Sequence, residues 1–338
     1  MTNNNSTVCT TTICNKTFDE ERALYGLAHA TLEHVRFAGP ADGESALKEC
    51  QSIAVRDSSF ELRYPMWHDD GVELERVELA QTTRAALWYT SNLRVSNSKL
   101  LGPKALRECD NVAIENSEIV SEEFGWQCRQ VTLRGGSLAG DYAFLHSRDL
   151  RLENVDFRGK YSFQYVENLV IEGGVLDTKD AFWHSHNVTV RNATLKGEYL
   201  GWYSDGLTLI NCRIEGTQPL VRCTNLTLVD CTMVDCDLAF EGSDVRATVR
   251  GRVDSIRDPK SGHIEVDSVG EIVHDTLMGC GAQIVVRKDS ETLRSDDRDD
   301  ASCPFPCLIA TVRWQHTPRA CHEERARTRE IAAGSASK

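Results

Sequence analysis

Any chemistry in this chain would start from one stripe of residues. Five of its six tryptophans, Trp67, Trp88, Trp126, Trp183 and Trp202, recur at one position, followed by His68, Tyr89, Gln127, His184 and Tyr203. Where tryptophan is missing, the two positions hold Tyr25–Gly26, Lys48–Glu49, Arg107–Glu108, Leu145–His146, Gln164–Tyr165 and Val221–Arg222. Outward tryptophans are costly unless something covers them. Aromatic rings with polar edges suit sugar rings. Ligand binding is therefore expected along Trp67, Trp88, Trp126, Tyr165, Trp183, His184, Trp202 and Tyr203. A second reading stays open, in which the rings stack on one another between strands and stiffen the sheet.

Charged residues crowd one end of the stripe. Asp42 and Glu44 lie in the loop AGPADGES, followed by Lys48, Glu49, Arg63, Arg84, Lys104, Arg107 and Glu108. The mixture suits a small anionic or polyhydroxylated ligand; its alternative is a set of surface salt bridges, each worth little. Glycoside hydrolysis wants two carboxyls about 5.5 Å or about 6.5–9.5 Å apart. Glu49 and Glu108 share a repeat position but sit three repeats apart, roughly 14 Å at the strand spacing. Lyase chemistry fits better. It needs a base, here His68 or Tyr89, and cations such as Arg63, Arg84 and Arg107 to neutralise a uronate; Glu108, next to Arg107, joins the candidate catalytic set.

The elements that position these residues come from a repeat. Asn168 to Val188 reads NLVIEGGVLDTKDAFWHSHNV, and Asn187 to Leu207 reads NVTVRNATLKGEYLGWYSDGL. Counting a turn residue as place zero, units start at Ser52, Gly71, Asn92, Asn111, Gln130, Asp149, Asn168, Asn187, Gly206, Asn225, Asp244 and His263. The steps are 19 residues, except 21 after Gly71, and a looser start at His29 precedes Ser52 by 23. A fixed period of this length signals a solenoid.

Places one and three are aliphatic, as in Val112 and Ile114, or Leu169 and Ile171, which is strand alternation. Place five is mostly Asn, Asp or Gly and predicts a bend. Place eight is large and apolar, from Phe60 to Met233. A second strand is expected to follow, with one inward residue: Leu47, Met66, Leu87, Leu106, Phe144, Phe163, Phe182 or Leu220. Stacked coils of this kind make an all-β, single-stranded parallel β-helix of about a dozen 19-residue coils. A leucine-rich repeat would need an LxxLxLxxN frame, which is absent.

Composition limits the partners. A net charge of −13 argues against duplex nucleic acid and against anionic membrane as partners. No segment approaches the roughly 20 apolar residues of a membrane span. The N-terminus lacks a signal-peptide layout, so the expected address is cytoplasmic. Of 13 cysteines, Cys50, Cys109, Cys128 and Cys223 share one repeat position and Cys212 and Cys231 another. Elsewhere Ser, Ala, Gly or Val fill those positions, so the cysteines read as small, inward and reduced rather than as metal ligands. No metal or cofactor is expected.

Three segments are expected: an N-terminal extension over 1–17 covering the open end, the β-helix over 18–279, and a tail over 280–338. The stretch FDEERALYGLAHATL reads either as a helix capped by Asp19 or as a first half-coil, and the repeat frame favours the half-coil. In the tail, Asp289 to Asp300 is a charge-dense run that reads as disordered. Cys303, Cys307, Cys321 and His322 fit no strong zinc spacing, and His322 to Ala333 reads as an isolated helix.

Particular segments carry a resemblance. FDEERALYG (Phe18 to Gly26), FAGPADGESALKE (Phe37 to Glu49), LRYPMWH (Leu62 to His68), ALREC (Ala105 to Cys109), FQYVEN (Phe163 to Asn168), DTKDAFWHS (Asp177 to Ser185) and GTQPL (Gly216 to Leu220) resemble an uncharacterised, mainly bacterial family, domain of unknown function 3737. It belongs to the pectate-lyase-like class. The resemblance runs from about Phe18 to Val273 and implies right-handed coiling. It brings no catalytic residues. Two functional expectations follow: a protein that binds or processes a carbohydrate or small anionic ligand along the stripe, or a non-enzymatic scaffold using the stripe for a partner or a homo-oligomer.

Overall fold

A computed structural model describes residues 11–41, 43–274 and 279–287. Asp42, residues 1–10 and the tail motifs from Asp289 onward lie outside the described residues.

The first face of each coil is a six-residue strand, such as Gln51–Arg56, Asp70–Glu75, Ser91–Ser96 and Asp110–Glu115. Each pairs in parallel with its neighbours, so that Ile53, Val72, Leu93 and Val112 stack in register. The second residue of the strand is left-handed: Ser52, Asn92, Asn111 and Asn168 have φ of 53, 55, 56 and 57°. Asn and Asp tolerate that conformation better than other side chains, which explains their recurrence at place zero. The bend at place five has the same cause, with Asn97, Asn116 and Asn154 at 49, 47 and 51°.

A second strand forms immediately after this bend, at Ser59–Phe60, Glu78–Leu79, Lys99–Leu100 and onward, and buries the place-eight residue. The position expected as the second strand is therefore a third face. It is extended only at Met66–Trp67, Leu87–Trp88 and Leu106–Arg107, which form a three-stranded ladder. Further along it is a stack of turns. Phe144, Phe163, Phe182 and Leu220 have φ of 61, 57, 61 and 63°, and left-handed residues at alternate positions break strand geometry. Their side chains still point inward and are fully buried.

The parallel ladder makes about 14 turns at about 19 residues each. It reaches past both expected ends: Thr11–Cys14 pairs with Ala30–Glu33, and Ala282–Val286 pairs with Gly262–Val266. The FDEERALYG stretch is a half-coil, with turns over residues 21–26 and no helix.

One continuous core fills the solenoid. Phe144, Phe163 and Phe182 stack on successive coils at 5.5 and 5.4 Å. Removing one such ring would cost about 3–5 kcal/mol. Gly125 shows how tightly this column is packed: it lies below Phe144 with φ of 74°, and a Cβ there would come within 2.6 Å of the Phe144 ring. The missing volume is supplied by Phe124, edge-on to Phe144 at 5.6 Å.

A column of small polar residues runs up one inner corner. Cys50 N–H donates to Asp69 at 2.8 Å, Cys128 N–H to Ser147 Oγ at 3.0 Å, and Cys223 N–H to Ser243 Oγ at 2.8 Å. Each side chain thus satisfies the backbone of the coil before it. The stacked cysteines are free and buried. Burial pushes the Cys50 thiol up to about 12 and Cys223 up to about 11, so both stay protonated and unreactive at neutral pH.

Candidate functional site

On the third face the stripe separates into two columns. The tryptophan column is a stack of planes. Trp67 and Trp88 lie 5.2 Å apart and 4° from parallel, and Trp183 and Trp202 lie 5.3 Å apart and 6° from parallel. Lys48 Nζ sits 4.8 Å over Trp67, and the Arg107 guanidinium lies between Trp88 and Trp126 at 5.0 and 5.4 Å. Cations over indole faces are favoured by the ring quadrupole. Both faces of Trp67 and Trp88, and one face each of Trp126, Trp183 and Trp202, are thus occupied by the protein itself.

The indole N–H groups are engaged as well. Trp67 donates to Ala85 O at 2.7 Å, Trp88 to Lys104 O at 2.7 Å, Trp126 to Tyr142 O at 2.6 Å, Trp183 to Tyr199 O at 2.7 Å and Trp202 to Gln218 O at 2.8 Å. Gln164 stands where a tryptophan would and donates Nε2 to Asp180 O at 3.3 Å. A side-chain donor at this position therefore ties one coil to the next, whichever residue supplies it.

The neighbouring column is different. His68 stacks on Tyr89 at 4.7 Å. After a break at Glu108 and Gln127, the row resumes as His146, Tyr165, His184 and Tyr203 at spacings of 4.8, 5.0 and 5.0 Å, and Arg222 closes it 5.8 Å over Tyr203. The ring faces are shared, but the edges point to water. Tyr165 is 44% exposed and Tyr203 40%. The phenol and imidazole polar atoms of these four residues make no hydrogen bond to any described residue. Burial holds the His184 imidazole below its ordinary pKa, with His186 adding to the effect, so at neutral pH it is an uncharged donor and acceptor.

Beside the start of this row is a hollow of about 300 Å³ lined by Gln127, Arg129, His146, Arg148, Tyr165 and Glu167. Arg129 is held by Asp110 at 2.7 Å. Arg148 makes no ion pair or hydrogen bond with a described residue. The expected site did not include Arg148, although Arg129, Arg148 and Glu167 follow one another at a single outward repeat position just after the stripe.

The charged cluster expected at one end of the stripe is largely paired. Glu44 binds Arg63 at 2.7 Å, Lys104 binds Glu123 at 2.9 Å, and Arg107 lies 3.4 Å from Glu108. Among the expected catalytic residues, His68, Tyr89 and Glu108 share a column on successive coils. Arg84 sits at the other end of the face, four residues before Trp88, with no ion pair among the described residues. Glu49 is in the same column as His68. Asp42 lies outside the described residues. The described residues hold no group of three or more His, Cys, Asp or Glu side chains arranged for a metal ion.

A family model described as "Protein of unknown function (DUF3737)" matches residues 11–286. No curated protein sequence matches the chain. Among solved structures, the mannuronan C-5 epimerase AlgE6 A-module of Azotobacter vinelandii is similar at 12% identity, covering 83% of this chain and 91% of that one, with a TM-score of 0.36. PfbA, a surface adhesin of Streptococcus pneumoniae, is similar at 10% identity over 82% and 84%, with a TM-score of 0.31. A mutant of the periplasmic alginate epimerase AlgG is similar at 8% identity over 77% and 78%, also with a TM-score of 0.31. Likeness at this level transfers no residue role.

Proposed function

This chain belongs to the DUF3737 family of proteins of unknown function, which carries no assigned activity, and from the geometry we propose that it is a carbohydrate-binding β-helix. Its ligand is an extended, anionic, polyhydroxylated chain lying along the edges of His146, Tyr165, His184 and Tyr203. One observation carries this reading: the row offers a polar edge about every 5 Å, the spacing of the coils, and the protein itself uses none of those edges. Arg148 at one end and Arg222 at the other would receive the negative charges. Binding is favoured over turnover because, of the cations expected for lyase chemistry, Arg63 and Arg107 lie 2.7 and 3.4 Å from the carboxylates of Glu44 and Glu108, and Arg84 sits at the other end of the face from His68 and Tyr89.

The test is a glycan array followed by calorimetry with uronate-containing and neutral oligosaccharides. Uronate oligomers are expected to bind, and Tyr165→Phe and Arg148→Gln should each weaken them by about tenfold. An ultraviolet assay for unsaturated products should remain flat. A folded protein that binds no member of the array, or a dimer in light scattering that hides the row, would refute the reading in favour of a scaffold.

A further inference from the structure

The first face carries a second feature, unrelated to the stripe. A hollow of about 590 Å³ lies over the strands Asp70–Glu75, Ser91–Ser96 and Asp110–Glu115. The hollow exists because two outward columns lose bulk on adjacent coils. One column runs Ala54, Glu73, Arg94, Ala113 in register. The other runs Glu75, Ser96, Glu115. Ser96 and Ala113 leave the space.

The charges around it are of two kinds. Paired charges form the walls. Arg56 lies between Glu33 and Glu75 at 3.9 and 3.3 Å, and Arg134 lies between Glu115 and Glu153 at 3.1 and 2.9 Å. Arg94 and Glu73 are different. They are register partners on adjacent strands, yet they do not pair with each other, and neither makes an ion pair or hydrogen bond with a described residue. They line both this hollow and the next one along the face, of about 530 Å³. Asn111, which also lines the hollow, donates Nδ2 to Asn92 Oδ1 at 2.6 Å, and its own Oδ1 accepts no hydrogen bond from a described residue.

We propose that this hollow is a binding site for a small zwitterion of the amino-acid type, with the carboxylate on Arg94 and the ammonium on Glu73. A guanidinium binds a carboxylate through two parallel hydrogen bonds, and a carboxylate accepts from an ammonium. A simple anion would satisfy Arg94 but face Glu73, Glu75 and Glu115. A simple cation would meet Arg94. Only a ligand carrying both charges engages both open groups. The site does not depend on the reading of the His/Tyr row.

The test uses the full chain and ligand-observed NMR titrations with glycine, glycolate and ethylamine. Glycine should bind saturably, with glycolate and ethylamine at least about tenfold weaker. Arg94→Gln and Glu73→Gln should each weaken glycine by about tenfold or more. Ala113→Phe, which fills the hollow and leaves both charges in place, should abolish binding. Arg191→Gln makes the same charge change on the same face outside the hollow and should have no effect. Glycolate binding as well as glycine, absence of saturation, or equal weakening by Arg191→Gln would each overturn the proposal.

Discussion

The tryptophan column and the His/Tyr column lie one residue apart on the same face, yet they serve different ends. In the tryptophan column both the ring faces and the N–H groups are used within the protein, against neighbouring planes and against carbonyls at 2.6–2.8 Å. In the His/Tyr column the faces are used and the edges are not. Residue type alone suggests that both columns bind a ligand. Partner accounting separates them: a polar group engaged by its own fold maintains that fold, whereas an exposed one without a partner is available to a ligand. The first-face hollow falls on the second side of that division.

The division can be pressed hardest inside the solenoid, where a polar group without a partner is a cost. Asp69 belongs to the small-residue corner column and is 2% exposed, and its Oδ2 has no partner. Burial raises its pKa to about 8, with the nearby Glu49 charge adding to the shift. Its unfolded value is about 3.9. The folded state therefore holds this proton more tightly than the unfolded state does. The penalty is absent below about pH 4, grows as pH rises, and is complete above about pH 8. Asp69→Asn keeps an acceptor for Cys50 N–H and cannot ionise. In denaturant titrations its stability advantage over the parent should widen by up to about 1.4 kcal/mol per pH unit across that window, then level off. A constant difference between pH 4 and 8 would show that Asp69 is not a buried acid.

The two columns themselves give the next effect. Trp183→Ala removes the stack on Trp202 and leaves the Tyr199 carbonyl without its donor, and should cost about 2–3 kcal/mol. Tyr165→Ala, one coil away, should cost about 1 kcal/mol in stacking and most of the ligand affinity. Thermal unfolding and calorimetry on the same pair of variants check both halves. Equal destabilisation with equal loss of binding would erase the distinction between the columns.

Much of the fold is legible in the sequence, for a physical reason. Each coil meets the same steric problem, so Asn, Asp and Gly recur where φ is positive, and aliphatic residues recur where side chains point inward. That periodicity locates Ser52, Asn97 and Phe182 correctly. It does not show that Phe182 stands in a turn, because an inward residue looks the same in either backbone. The stripe is visible as a column of tryptophans, but their partners are not: the acceptor of each indole is a backbone carbonyl, which has no sequence signature. Arg148, Arg94 and Glu73 escape a reading of the sequence because an unpaired charge and a paired one are the same letter. Only the geometry distinguishes Arg94 from Arg134, which lies between two glutamates.

Gln164 offers the smallest and most discriminating change. It occupies the tryptophan position between Leu145 and Trp183 and makes the same bond between coils, at a longer 3.3 Å. If the column exists to tie coils together, Gln164→Trp should extend the Trp183–Trp202 stack by one ring and shorten the bond to Asp180 O. A gain of about 1 kcal/mol in unfolding free energy is expected, with affinity for oligosaccharide unchanged. A ligand-binding tryptophan column would respond in the opposite way, with affinity rising and stability nearly constant. Unfolding measurements and calorimetry on this one variant therefore decide which purpose the column serves.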